Sequence, residues 1–379
     1  MKEGWEYKKL GEVCEILDSR RKPITKNKRE SGTIPYYGAT GILDYVKDYI
    51  FDEKLVLLGE DGAKWGAGEY SAYIVEGKTW VNNHAHALRP KRDLLKDELL
   101  VYYLNFSNLL PYITGVTVPK LNQEKMRSIE IPIGPITEQQ SIVDYLDSAF
   151  AKIYAMKANA EKALGEAKAL FQASLKEMLE PKDGWEEKTL KEIAQIKIGP
   201  FGSLLHKKDY ITGGVPLVNP IHMVNGHIAI DNNYTILESK AKELSLYRLK
   251  ENDIVFARRG EIGRCALVGE KEDTYLCGTG SLFVRFNQVV DYGFMLLLFQ
   301  SKYCKEYLEK QATGATMLNI NSAIVGDMSI KYPHIDIQQS IVATLDSLKS
   351  KVDRLQANYE KISQECDALK QAILRQVFE

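Results

Sequence analysis

The pentapeptide Gln139-Gln140-Ser141-Ile142-Val143 recurs as Gln338-Gln339-Ser340-Ile341-Val342, and in both places a Leu-Asp pair follows, as Leu146-Asp147 and Leu345-Asp346. Five consecutive identical residues at matching places are not expected by chance. The stretch therefore indicates an internal repeat. In both copies it opens a segment rich in Ala, Glu, Lys, Gln and Leu, which are residues that favour helix.

Two further matches extend the repeat outward from this stretch. Gly4-Trp5-Glu6 recurs as Gly184-Trp185-Glu186 at an offset of 180 residues, whereas Gly115-Val116-Thr117 is matched by Gly314-Ala315-Thr316 at an offset of 199, the same as for the pentapeptides. A solenoid or propeller would repeat about every 20 to 50 residues, so this longer unit indicates a duplicated domain. Because the offset grows after the first anchor, the copies share a frame and differ in the interior of a mixed segment.

Composition places the chain among soluble globular proteins, since 45% of its 379 residues are apolar and 27% are charged. No apolar run is long enough to cross a membrane, and the opening residues lack the apolar core of a signal peptide, so we expect a cytoplasmic protein without membrane contact. Five scattered cysteines, none in a CxxC pair, argue against a disulfide framework or a structural zinc. With a net charge of −1, any DNA-binding surface has to arise from local segregation of charge.

The helical segments 137–179 and 337–378 contain no proline. In the second, the apolar positions alternate by four and three residues, which predicts a coiled-coil partner. These positions are Ile341, Leu345, Leu348, Val352, Leu355, Tyr359, Ile362, Cys366, Leu369 and Ile373. The same register carried back by 199 residues gives Ile142, Leu146, Ala149, Ile153, Met156, Ala160, Ala163, Ala167, Leu170 and Ser174. Large side chains facing small ones favour pairing of the two helices with each other; packing of each helix on its own mixed segment is the alternative.

Each helix would be roughly 60 Å long at about 1.5 Å per residue. The repeat symmetry favours an antiparallel pair, although a parallel pair stays open because the second mixed segment could provide the connection. The mixed segments show short strand patterns at residues 54–58, 82–88, 253–256 and 281–286 and helical stretches at 96–110 and 292–311. The predicted fold class is α+β, with two pseudo-twofold-related strand-rich domains separated by a long antiparallel two-helix coiled coil.

Basic residues are concentrated near the start of the chain. Residues 20–29 contain Arg20, Arg21, Lys22, Lys26, Lys28 and Arg29 and no acid. As a loop, the stretch would suit contact with DNA phosphates, although a solvated surface loop is an equal alternative. The corresponding region of the second copy is less basic and offers Lys207 and Lys208. The two copies are therefore expected to read different targets.

A second candidate lies where a strand pattern ends in the second copy. Arg258, Arg259 and Arg264 surround two glycines that let the backbone approach a ligand, and arginine is the usual bidentate reader of guanine. The first copy has Glu60, Asp61 and Lys64 in the corresponding stretch. A surface turn is the alternative for this stretch.

Further polar side chains could contact bases or phosphates. They are Asn82, Asn83 and His84, in the strand pattern at 82–88, and Lys120, Asn122, Asn319 and Asn321, after the Gly-x-Thr elements. The two histidines at 84 and 86 lie at strand spacing, but no other His or Cys cluster supports a metal site. A polar network in the core is an equal explanation for the first group, and a scaffold role for the second.

Taken together, the chain resembles the DNA specificity subunit of type I restriction and modification systems over essentially its whole length. The resemblance rests on the GWE-x-x-x-L openings of both halves and on VNNHAHALRP at 81–90. It rests also on LKENDIVFARRGEIG at 249–263 with CGTGS at 277–281, and on the QQxIVxxLD starts of the two helices.

The resemblance implies that residues 1–136 and 181–336 are target recognition domains, each reading one half of a bipartite, asymmetric site in double-stranded DNA. It implies that residues 137–180 and 337–379 are conserved helices that set the half-site spacing and dock two methyltransferase subunits. Restriction/translocase subunits are further partners in systems that restrict. The chain itself is then non-catalytic and binds no metal or cofactor, and S-adenosylmethionine, ATP and Mg are expected on the partner subunits.

Two alternatives stay open from the sequence. A DNA methyltransferase or nuclease with fused recognition domains would need a cofactor or metal motif, and the sequence contains no GxxxxGK[ST], GxGxxG, HExxH or GxSxG pattern. A coiled-coil scaffold that binds proteins rather than DNA is the second alternative. DNA binding measured with and without methyltransferase partners discriminates it from a specificity subunit.

Overall fold

The computed structural model describes residues 4–115, 117–314 and 318–379, and the chain divides into two compact units. The first unit is built from the residues up to Lys162 together with Ala357–Glu379, and the second from Ala163–Gln356. Each unit therefore contains part of both long helices. Among the described residues, no helix is both long enough and apolar enough to span a bilayer.

The first unit is a strand-rich α+β structure. Its elements are β1 (Glu6–Lys9), α1 (Leu10–Val13), β2 (Cys14–Ile16), β3 (Ser31–Gly38), β4 (Gly41–Val46), β5 (Phe51–Asp52), β6 (Leu55–Gly59), β7 (Ala72–Val75), β8 (Lys78–Val81), β9 (Ala85–Pro90), α2 (Asp97–Phe106), α3 (Gln123–Arg127), β10 (Glu130–Ile133) and the start of α4 (Ile136–Leu179). An antiparallel sheet has the order β2-β9-β6-β7, and a second sheet has the order β4-β3-β8-β5 with β3 and β8 parallel. Strand β1 pairs with β10 immediately before the long helix.

The second unit repeats this plan. Its further elements are β11 (Glu186–Thr189), α5 (Leu190–Ile193), β12 (Ala194–Ile198), β13 (Tyr210–Ile211), β14 (Val215–Val218), β15 (Met223–Val224), β16 (His227–Ile228), β17 (Thr235–Ile236), α6 (Glu238–Glu243), β18 (Ile254–Ala257), β19 (Cys265–Leu267), β20 (Leu276–Cys277), β21 (Ser281–Phe286), α7 (Tyr292–Gln300), α8 (Lys302–Gln311), α9 (Ser322–Gly326), β22 (Ser329–Tyr332) and the start of α10 (Ile335–Phe378). The antiparallel sheet β12-β21-β18-β19 corresponds to β2-β9-β6-β7, the parallel pair β14/β20 to β3/β8, and β11/β22 to β1/β10. The inferred duplication is therefore also a duplication of strand order.

Within the first unit, α4 and α10 pack antiparallel. Lys157 Nζ lies 3.0 Å from Asp367 Oδ1, and the Lys370 ammonium donates to the Tyr154 hydroxyl at 2.8 Å, so residue numbers fall along α10 as they rise along α4. Within the second unit, Lys168 Nζ donates to Gln356 Oε1 at 2.8 Å. Further along, Met178 and Ile341 line one groove. The predicted fold class, α+β with an antiparallel pair of long helices, is confirmed.

The heptad register predicted for α4 is wrong at Met156, Ala163 and Leu170, which are exposed, whereas its other positions are at least partly buried. Met156 and Leu170 are 54% and 59% exposed. The positions that turn inward are Val143, Leu146, Phe150, Ile153, Lys157, Ala160, Leu164, Ala167, Phe171, Ser174 and Met178, again in strict alternation of three and four. In α10 the predicted seam is at least partly buried from Ile341 to Cys366, but Leu369 is 48% exposed. The constant offset of 199 residues predicted the spacing of the buried positions in α4 correctly, but it did not predict which face of α4 is buried. The bulky side chains of Phe150 and Leu164 pack inward and determine that face.

Sequence patterns located the central strands well and their ends less well. The strand expected from residue 82 begins at Ala85 because Asn83 and His84 form a turn. The helical stretch 292–311 is two helices, since the Ser301 side chain caps a new helix by accepting from the Cys304 amide. The Gly-x-Thr elements lie partly outside the described residues, at positions 116 and 315–317.

Candidate nucleic-acid interface

Both units place a polar cluster at the end of an inner strand of the antiparallel sheet, β6 in the first unit and β18 in the second. In the first unit, β6 pairs with β9 up to Gly59 and Ala85, and the next amide, that of Glu60, donates to the His84 carbonyl at 2.8 Å. In the second unit, β18 pairs with β21 up to Ala257 and Ser281, and the amide of Arg258 donates to the Gly280 carbonyl at 3.0 Å. Glu60 and Arg258 therefore occupy equivalent positions.

A hairpin closes over this position in each unit. The Glu60 carbonyl accepts from the Leu121 amide at 2.8 Å, and the Arg258 carbonyl accepts from the Ile320 amide at 3.0 Å. Lys120 and Asn319, one residue earlier in each hairpin, are consequently brought beside Glu60 and Arg258. The backbone frame is the same, and the charge at its centre is opposite.

In the first unit, Glu60 is buried between two cations. Its carboxylate lies 2.6 Å from Arg21 Nη1 and 2.7 Å from Lys120 Nζ. Burial acts to raise the pKa of Glu60, but the hydrogen bonds from Lys120 and Arg21 outweigh it and leave the pKa below its ordinary value. Arg21 also donates to the Ala85 carbonyl at 2.7 Å, which connects residues 20–29 to the first residue of β9.

His86, in strand β9, is 1% exposed and belongs to the same cluster. Its Nε2 lies 2.7 Å from the Leu121 carbonyl oxygen, which can only accept, so Nε2 carries a proton. Its Nδ1 lies 2.6 Å from Asp18 Oδ2. Burial acts to raise the pKa of Asp18, but the hydrogen bond and charge of His86 outweigh it and leave the pKa below its ordinary value. The ion network thus links three separate segments of the chain.

The oxygen and nitrogen atoms of Asp18, Glu60 and His86 lie close enough together to hold one metal ion. Both carboxylates are already paired with cationic side chains, because Arg21 Nη2 lies 3.3 Å from Asp18 and Lys120 Nζ lies 2.7 Å from Glu60. The donor set is therefore explained as an ion-paired network.

In the second unit, Arg258 is 7% exposed, yet the structure describes no ion pair between it and a carboxylate. Its Nε donates to Asn319 Oδ1 at 3.1 Å. Burial lowers the pKa of Arg258, and the neighbouring charge of Arg259 lowers it further. Arg259 is exposed, whereas Arg264 is ion-paired with Glu261 and donates to the Pro220 carbonyl at 3.2 Å.

The basic stretch 20–29 divides into held arginines and exposed lysines. Arg20 donates to the Ile50 carbonyl at 2.9 Å, Arg21 belongs to the buried network, and Arg29 is paired with Asp44 at 3.0 Å. Lys22, Lys26 and Lys28 are exposed. The arginines shape this loop, and the lysines are the side chains that it presents to solvent.

The remaining predicted residues differ in their surroundings. Lys64, Asn83, Lys207 and Lys208 are exposed. The Lys64 ammonium lies 3.9 Å from the Glu69 carboxylate, and Lys207 and Lys208 lie in a short turn. Asn82 is buried and accepts from the His84 amide, while the His84 ring pairs with Asp61. Asn122 and Asn321 cap α3 and α9 by accepting from the amides of Lys125 and Ile324, so their oxygens serve the scaffold.

Sequence reasoning missed the buried network itself. Asp18, Glu60 and His86 come from three separate segments, and only strand pairing brings them together. The available signal was the period-two pattern at residues 84–88, which places His86 within β9 and therefore in the sheet.

Each unit also has a groove at the same place in its frame. In the first unit a groove of about 320 Å³ is lined by Trp5, Ile142 and Phe378, and Trp5 Nε1 donates to Glu138 at 2.9 Å. In the second unit a groove of about 460 Å³ is lined by Trp185, Ile341 and Met178. The repeated tryptophans and helix starts thus form two related surfaces.

Comparison with known proteins gives consistent matches. A family model described as type I restriction modification DNA specificity domain matches residues 2–164 and 182–364. A putative type I restriction enzyme specificity subunit, S.HindORF215P, of Haemophilus influenzae is 40% identical over 146 residues, which are 38% of this chain and 37% of that protein. The MjaVIII specificity subunit of Methanocaldococcus jannaschii is 23% identical over 95% of this chain and 89% of its own length. The HsdS subunit from Thermoanaerobacter tengcongensis has the same fold, with a TM-score of 0.63 at 18% identity over 100% of this chain and 97% of that chain.

Proposed function

This chain belongs to the type I restriction modification DNA specificity family, whose model matches both of its halves, and from that premise we propose that it selects the DNA target of a restriction-modification complex. Each unit reads one half of a bipartite site. The chain itself is non-catalytic. Methyl transfer from S-adenosylmethionine, and ATP- and Mg-dependent restriction where it occurs, belong to partner subunits.

The observation that supports this proposal is that the two units share one backbone arrangement but carry different side chains at the strand end beneath the hairpin. The two units have the same strand order and the same hairpin over the end of β6 or β18, yet Glu60 stands at the centre of one and Arg258 at the centre of the other. Base edges in the major groove differ in their donors and acceptors. Opposite charges at equivalent positions therefore favour two different half-sites and an asymmetric target.

The long helices and the repeated grooves support docking of partners. Two related surfaces, one beside Trp5 and one beside Trp185, suit two copies of the same methyltransferase subunit. With a net charge of −1, the chain has little general attraction for the DNA backbone, so a shared grip with those subunits would supply the phosphate contacts.

The direct test is to express the full chain with its methyltransferase partner and to sequence the methylated positions of the host genome. We expect one asymmetric motif with two specified parts and an unspecified spacer. A continuous or palindromic motif would contradict the proposal. Methyl transfer to DNA by the purified chain alone would instead establish the enzyme alternative.

The spacer provides a second test of the role of the helices. Seven residues inserted after Lys162 and after Gln356, where the division between the units crosses α4 and α10, preserve the heptad phase. At about 1.5 Å per residue each helix gains roughly 10 Å, which is about three base pairs at 3.4 Å each. We expect both half-sites to be retained with a spacer longer by about three base pairs. An unchanged spacer would show that the helices do not set it.

A further inference from the structure

Arg258 is a buried cation, and no ion pair is described for it, whereas Glu60 at the equivalent position is paired with Arg21 and Lys120. In the first unit, the carboxylates of Asp18 and Glu60 are paired with Arg21 and Lys120, and the His86 ring lies 2.6 Å from Asp18. A buried charge without a partner costs several kcal/mol, so it is normally paired. Among the described residues of the second unit, no carboxylate forms an ion pair with Arg258.

The reason lies in the strands beneath. Ile16 pairs with Leu88 in the first unit as Ile196 pairs with Val284 in the second, so the positions of Asp18 and His86 correspond to those of Ile198 and Leu282. In the second unit these two apolar residues pair directly. The acid and the imidazole below the strand end are therefore replaced by hydrocarbon.

The hydrogen bond from Arg258 decides which part of its guanidinium is available. Nε donates to Asn319 Oδ1 at 3.1 Å. Among the described residues the two terminal nitrogens have no hydrogen-bond partner, so they form a pair of parallel donors. Such a pair matches two acceptors on one rigid group, as in the O6 and N7 atoms of guanine. Asn319 lies on the hairpin that closes over Arg258, so the hairpin orients this fork.

We propose that Arg258, held by Asn319, reads a guanine in the half-site of the second unit. The exposed Arg259 beside it contacts the DNA backbone, and Arg264 shapes the turn through Glu261. The assignment rests on the proposed function. The equivalent position of the first unit does not select guanine, because Glu60 presents acceptors that are already bound by Lys120 and Arg21.

The experiment compares Arg258→Gln with Arg259→Gln in the complete complex with the methyltransferase partner. Methylation is measured on a library of duplexes in which each position of the wild-type motif is varied. For Arg258→Gln we expect discrimination to fall roughly 5- to 150-fold at one guanine of one half-site, with the other half-site unchanged. For Arg259→Gln we expect uniformly weaker binding and a salt dependence lower by about one phosphate.

The intact half-site serves as an internal control for folding. If Arg258→Gln abolishes recognition of a whole half-site, Arg258→Lys replaces it, because lysine keeps the charge and removes the fork. Loss of preference at a single guanine with either variant supports the assignment. An unchanged motif, or uniform weakening without a change in preference, overturns it. Absence of any bipartite motif for the wild-type complex would instead overturn the proposed function.

Discussion

Replacing Arg21 by methionine should destabilise the first unit strongly. The Arg21 side chain is 11% exposed and lies between Glu60 and Asp18, whose side chains are 10% and 6% exposed. Removing the guanidinium leaves buried carboxylates without a main partner, and breaking such a pair costs about 3–5 kcal/mol. Urea unfolding followed by hydrogen exchange of peptides from the first unit measures this loss and locates it.

Two further variants make the experiment decisive. The double variant Arg21→Met/Glu60→Gln removes both charges. Its loss of unfolding free energy should therefore be smaller than the sum of the losses of the two single variants, by a coupling energy of about 1–3 kcal/mol. Lys47→Met removes the exposed ion pair with Glu30 and should leave the unfolding midpoint unchanged. If Arg21→Met behaves like Lys47→Met, or if the coupling is absent, the buried network does not stabilise this unit.

Other residues yield shorter predictions. Burial acts to raise the pKa values of Asp18 and Glu60, but their partners outweigh it and lower both pKa values. The stability that these carboxylates contribute is therefore present above about pH 4 and is lost as the pH falls through the lowered pKa values. Hydrogen exchange of the amides near them should accelerate in acid. Leu164→Ala should cost about 2–5 kcal/mol, while Leu170→Ala, 59% exposed, should change stability by less than about 0.5 kcal/mol in thermal melts. Asn321→Ala should cost about 1 kcal/mol through the lost cap and leave the methylated motif unchanged.

The frame of this molecule could be predicted because its signals are periodic and occur twice. The helices observed at Ile136–Leu179 and Ile335–Phe378 follow from segments without proline and with regular apolar spacing. The side of α4 that is buried could not be carried over from α10, because the two helices of an antiparallel pair meet different neighbours. Phe150, for example, packs against Tyr102 of α2 at a ring distance of 5.5 Å.

The polar centres were only partly predictable. Arg258 and Glu60 stood out as opposite charges at corresponding positions, and the structure brings both to equivalent strand ends. Their partners could not be identified, because no local pattern relates Asp18 or Lys120 to Glu60. Long-range strand pairing and a hairpin create that proximity, and they also hold arginines that sequence alone assigned to DNA.

The division of the chain also has a consequence for the order in which it folds during synthesis. The second unit, Ala163–Gln356, is continuous, so all of its residues leave the ribosome before those of the first unit are complete. The first unit needs Ala357–Glu379, whose Cys366, Leu374 and Phe378 fill the core around Leu146 and Ile153. The unit that is translated first is therefore completed last, and until then the apolar face of α4 around Leu146 and Ile153 is exposed to misassembly.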